Sequence, residues 1–121
     1  MTLLKSPLRY SSGKSRAIQY LKEYFPTNFK EYRELFFGGG SVGIYLTQKC
    51  ASTKQIKFFA NDCNYNVYCF WQILKTQGNH LIAEIQRLKE TFKDGKELYH
   101  FLMTRRNEKL SNFQRAVDFL S

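Results

Sequence analysis

The chain has two prolines, Pro7 and Pro26, and they are not adjacent, so its 121 residues contain no Pro-Pro step. Its two histidines, His80 and His100, stand far from its three cysteines, Cys50, Cys63 and Cys69, and no cysteine pair has CxxC spacing. That pattern gives no metal site and no disulfide framework. Buried reduced thiols are the simplest reading of the cysteines, and they agree with a cytoplasmic location. No apolar run is long enough to cross a bilayer and no basic-then-apolar leader follows Met1, so neither membrane insertion nor export is expected. Repeats and low-complexity segments are missing too.

Aromatic residues are plentiful: 11 Phe, 8 Tyr and one Trp. With 43% apolar residues there is ample material for a core, which excludes disorder throughout. The length allows one domain and is short for a cofactor enzyme acting on a macromolecule. Net charge is +9 and uneven, since residues 1–60 hold ten basic against three acidic side chains. Such a surplus suits a polyanion, because cations brought to phosphates release condensed counterions.

The stretch Glu34-Leu35-Phe36-Phe37-Gly38-Gly39-Gly40-Ser41-Val42 organises the rest. Tyr32 to Phe37 reads as a buried strand that the three glycines must end. Val42, Tyr45, Leu46 and Lys49 then recur at helical spacing. Strand, glycine turn and helix form a loop that a flat ligand can approach closely, because glycine has no side chain and reaches positive φ at little cost. After a second strand, Ile56 to Ala60, Asp62 stands 22 residues past Gly40, where a carboxylate can accept hydrogen bonds from both ribose hydroxyls of a nucleoside cofactor. Gly38, Gly40 and Gly43 also satisfy GxGxxG, so a nicotinamide-binding unit is a rival reading of the same spacing.

Around this centre, Ser15 can cap a helix carrying Ile18, Leu21 and Phe25 that ends at Pro26, and Arg9 to Lys14 makes a polar turn before it. Tyr65 to Lys75 reads as a helix with Val67, Phe70, Trp71 and Leu74 inward. Two strand-helix units in succession imply parallel strands. From Gly78 only helices follow: a stripe of Leu81, Ile85, Leu88 and Phe92, then Leu98, Phe101 and Leu102 beyond Gly95. A last helix opens on a Ser111–Gln114 capping box, with Phe113, Val117 and Leu120 on its apolar face. Arg105 and Arg106 read as a solvated helix face.

Three stretches in order, Pro7-Leu8-Arg9-Tyr10-Ser11-Ser12-Gly13-Lys14, Phe36-Phe37-Gly38-Gly39-Gly40-Ser41-Val42 and Asn61-Asp62-Cys63-Asn64 with Phe70-Trp71 behind, resemble the DNA adenine methylase family of adenine-N6 DNA methyltransferases. Tyr99 to Leu120 is similar to the segment that family places before its target-recognition region. The resemblance implies an α/β, Rossmann-like S-adenosylmethionine-dependent methyltransferase core, here incomplete. Residues 1–77 would be its cofactor-binding part and residues 78–121 a truncated helical lead-in to DNA recognition. It implies that Tyr10 and Lys14 contact S-adenosylmethionine, that Phe36, Gly38 and Gly40 form the loop beneath it, and that Asp62 holds its ribose. Arg9, with Arg105 and Arg106, would face double-stranded DNA. The family shows proline and glycine where this chain has Ser11 and Ser12, and proline in place of Leu35. Its catalytic motif, an acidic or amide residue followed by two prolines and an aromatic, has no counterpart here, so catalysis by this chain alone is not expected. The resemblance therefore leaves open a split enzyme completed by a second chain and a non-catalytic module that binds cofactor or DNA.

Overall fold

A computed structural model describes residues 5–8, 14, 16–50, 56–106 and 108–120. These fall into two compact units, Met1–Cys63 and Asn64–Ser121.

The first unit is built on two short parallel strands, β1 (Glu31–Glu34) and β2 (Lys57–Ala60), paired from Glu31 opposite Lys57 to Glu34 opposite Ala60. Side chains alternate across a strand, so Tyr32 and Phe58 pack on one face, ring centroids 5.9 Å apart. Arg33 lies over Phe59 on the other, 4.9 Å from its centroid. Before the sheet come a single turn of helix, α1 (Ile18–Leu21), and a 3-10 turn (Lys22–Tyr24). Between the strands runs α2 (Ser41–Lys49), whose Tyr45 meets Phe25 at 5.9 Å and whose Leu46 is buried. The expected cap Ser15 lies outside the described residues, and Ala17 precedes α1 without a side-chain cap.

β1 is shorter than its sequence pattern suggests. It ends at Glu34, and Leu35 and Phe36 bend outward with 66% and 76% of their surface exposed. The reason is local: Asn61, just past β2, donates its N–H to the Glu34 carbonyl and accepts from the Phe37 N–H, both at 2.9 Å. Residues 35 and 36 are left with no ladder partner between these two bonds and bulge over the gap.

The second unit is helical among its described residues. It comprises α3 (Tyr65–Thr91), α4 (Gly95–Arg105) and α5 (Asn112–Leu120). α3 breaks at Gln77 (φ −139°, ψ 39°), where the sequence pattern changes from one apolar stripe to the next. Val67, Phe70, Leu81, Ile85 and Leu88 are buried as expected; Trp71 and Leu74 are only half-buried, and Cys69 and Ile73 take the inner positions instead. Ala116 and Val117 of α5 are fully buried, and Phe119 meets Phe70 with centroids 6.2 Å apart.

The helix starts follow their capping residues. The Asp94 carboxylate accepts from the Lys96 N–H at 3.0 Å. The Ser111–Gln114 box is formed in both directions: the Gln114 N–H donates to Ser111 Oγ at 3.2 Å and the Ser111 N–H to Gln114 Oε1 at 3.1 Å. His80 and His100 are exposed. The three thiols are free, but they are not uniformly buried: Cys69 is buried, Cys50 half-buried and Cys63, in the bend after Asp62, exposed. Among the described residues no helix is long and apolar enough to cross a membrane, and no group of three His, Cys, Asp or Glu side chains could hold a metal ion.

Candidate cofactor site

The loop leaving β1 has the backbone its glycines permit. Gly38 has φ 51° and Gly40 φ 73°, left-handed values that an L side chain rarely adopts. All three glycines are buried. The Gly40 N–H donates to the Phe37 carbonyl at 2.8 Å, closing the turn, and its own carbonyl accepts from Ile44 at 2.8 Å as the first hydrogen bond of α2. Gly43 is needed for a different reason: a Cβ there would collide with the Phe37 ring and lie 3.3 Å from Glu34 Oε2.

Asp62 meets this loop directly. Its Oδ2 accepts from the Gly38 N–H at 2.8 Å, across 24 residues of sequence. The carboxylate beyond β2 thus pins the glycine turn beyond β1. Both lie at the carboxyl ends of parallel strands, where open α/β sheets bind ligands.

A third group, which spacing did not single out, is Glu34. The inward alternation of β1 points Tyr32 and Glu34 the same way, and the Tyr32 hydroxyl donates to Glu34 Oε2 at 2.8 Å. Glu34 also accepts from the Gly43 N–H in the first turn of α2, and Lys14 is close enough to act on it electrostatically. Burial nevertheless raises its pKa above the ordinary 4.5, against the lowering effect of those three partners. Burial, then the hydrogen bond to Glu34 and its charge, push the Tyr32 phenol far above its usual value, so it stays a donor. The one sequence signal for Glu34 was an acid ending an alternating strand immediately before glycines.

This arrangement carries a pH dependence. A carboxyl whose pKa is raised on folding binds its proton more tightly in the folded state, so its contribution to stability is complete below the unfolded value and is lost as pH rises through the folded one. Thermal unfolding from pH 4 to 7 should therefore show the stability advantage of Glu34→Gln over the parent growing as pH rises. Parallel curves would mean that Glu34 is solvated.

Of the other candidate residues, Lys14 is exposed beside Glu34, and Phe36 is exposed next to the loop. Arg9 and Tyr10 lie outside the described residues. In the second unit Arg106 is exposed at the end of α4. Arg105 is not the solvated cation that its sequence context suggests: its side chain is 15% exposed, it forms a two-pronged ion pair with Asp118, and its guanidinium lies 4.9 Å from the Phe101 centroid. The acid that captures it is 13 residues away, beyond the reach of helical spacing rules.

A sequence profile of D12 class N6 adenine-specific DNA methyltransferases matches residues 10–121. The chain belongs to that family. Type II methyltransferase M.MjaIII of Methanocaldococcus jannaschii is 31% identical over 94 residues, covering 74% of this chain and 32% of that protein. Type II methyltransferase M.FokI of Planomicrobium okeanokoites is 32% identical over 90 residues, 74% of this chain and 13% of that protein. Modification methylase StsI of Streptococcus sanguinis is 31% identical over 74 residues, 61% of this chain and 10% of that protein. The chain thus spans a third or less of the length of these relatives. The glycine loop and Asp62 both fall within the matched family region. For a family that transfers methyl groups, a methyl donor is implied, and the residues of the first unit fit one: a glycine turn for close approach, a carboxylate against it, and charges of both signs at Glu34 and Lys14.

Proposed function

We propose that this D12 chain is the donor-binding part of a site-specific adenine-N6 DNA methyltransferase and that its donor is S-adenosylmethionine. The observation that carries the reading is the Asp62–Gly38 hydrogen bond, which draws two separated motifs together at the strand ends. On this reading the parallel pair is the nucleus of a Rossmann-like core. Residues 1–77 serve the cofactor, and residues 78–121 lead toward target recognition.

Each residue has a role set by its chemistry. Gly38 and Gly40 remove the side chains that would hold the ligand off the backbone, and Phe36 offers an aromatic surface beside them. A carboxylate has about four acceptor positions, so Asp62 can hold Gly38 and still accept from ribose hydroxyls. Lys14, with Tyr10, serves the methionine carboxylate, for which an ammonium is a strong partner. Glu34 supplies negative charge for the methionine ammonium. When bound, S-adenosylmethionine supplies an activated methyl group on a sulfonium centre. Arg9 and Arg106 are assigned to double-stranded DNA, whereas the Arg105 guanidinium is committed to Asp118. The reaction belongs in the cytoplasm, beside the DNA of a prokaryotic cell.

Adenine chemistry needs acceptors for the amino group and an aromatic to stack on the flipped base. With no Pro-Pro-aromatic motif among these 121 residues, we assign that half of the chemistry to polypeptide other than this stretch. The chain alone should transfer no labelled methyl group to an adenine-containing duplex, and a mixture with a polypeptide carrying the motif should. Transfer by the chain alone would contradict the division. Failure of the mixture, with both pieces folded and binding, would favour a non-catalytic cofactor- or DNA-binding role. The nicotinamide reading has less support, because among the described residues only helices follow the second strand, where a dinucleotide fold would bring its third.

A further inference from the structure

The second unit contains a cup of about 310 Å³, at the lower end of ligand-site volumes. One wall is apolar, formed by Leu102, Leu110 and Phe119. Facing into the same cup are Arg106, Arg115 and Asp118. The charge of Asp118 is already matched by Arg105, which leaves the two other guanidinium groups without an opposing acid in the lining. Arg115 is held in place: its guanidinium donates to Asn66 Oδ1 at 3.2 Å and lies over Tyr65, 5.5 Å from the ring centroid. Only one of its five N–H donors is used in that bond. Arg106 is exposed, and its side chain makes no hydrogen bond or ion pair with another described residue.

Two guanidinium groups beside an apolar wall select an anion with a flat apolar body attached. Guanidinium forks match phosphate oxygens in geometry as well as charge. A volume of this size takes one nucleotide and excludes a duplex. We propose that the cup holds one nucleotide of a DNA strand, its phosphate between Arg106 and Arg115 and its base or sugar against Leu102, Leu110 and Phe119. The choice of a DNA strand over a free nucleotide rests on the methyltransferase reading above, while the phosphate-and-base chemistry does not.

The test is fluorescence anisotropy of the full chain with a labelled single-stranded 12-mer across a range of salt, with deoxyadenosine monophosphate as competitor. Arg106→Ala, at an exposed position, keeps the fold and should weaken strand binding about tenfold while lowering the salt slope by about 1. Arg106→Lys should recover part of both, and Arg115→Gln should weaken binding further. Wild-type affinity and slope in Arg106→Ala would overturn the proposal, whether or not Arg115→Gln folds. Competition by the mononucleotide as effective as by the unlabelled strand would overturn the DNA assignment in favour of a free nucleotide. Absence of strand binding by the parent chain would also overturn it, and S-adenosylmethionine binding measured on the same sample separates that failure from failure of the methyltransferase reading.

Discussion

Asp118→Ala should lower the stability of the helical unit by about 1–3 kcal/mol, the cost of leaving a half-buried hydrogen-bond donor without its partner. The side chains of Arg105 and Asp118 are only 15% and 17% exposed, and they join α4 to α5 through two hydrogen bonds, Nε to Oδ2 at 2.9 Å and Nη2 to Oδ1. Without the carboxylate, the guanidinium stays trapped against the Phe101 ring with no counter-charge. Replacing both partners by apolar residues of similar volume, Arg105→Met with Asp118→Leu, should cost less, since no half-buried charge is then left unpaired. Urea unfolding of the two single variants and the double gives the coupling directly. A loss under about 1 kcal/mol in Asp118→Ala would place the pair among ordinary surface salt bridges.

Asp62→Ala has its effect in the other unit and on binding as well as stability. It removes the acceptor for the Gly38 N–H and, on the proposed function, the acceptor for the ribose. S-adenosylmethionine affinity should fall by about 1–3 kcal/mol, on the order of five- to 150-fold in Kd. Asp62→Asn separates the two roles: its amide oxygen can still accept from Gly38, so thermal stability should stay near that of the parent while affinity falls. Equal affinities in all three proteins would remove Asp62 from the site.

How much of this was legible in the sequence follows from the range of the interactions involved. The start of the last helix was readable because a cap is decided within three or four residues, as the Ser111–Gln114 box shows. The strand–glycine–helix order was readable for the same reason, the parallel pairing from two strand–helix units in succession, and the change of stripe from the pattern that alters at Gly78. The end of β1 was not, because it depends on where Asn61 of the neighbouring segment places its N–H and carbonyl. Asp62 was identified by spacing as a ligand acceptor, but its bond to Gly38 is a tertiary contact that no spacing rule supplies. Glu34 was passed over because its significance lies in burial beside Tyr32 and the Gly43 N–H. Arg105 looked solvated because its partner is on another helix.

The central claim is that the loop from Gly38 to Gly40, pinned by Asp62, binds S-adenosylmethionine. Calorimetric titration of the purified chain with S-adenosylmethionine and, separately, with NAD tests it most directly. Saturable binding of S-adenosylmethionine, weakened in Asp62→Ala, with no heat from NAD, is the result predicted. Binding of NAD without S-adenosylmethionine would contradict the claim and assign the glycine loop to a dinucleotide.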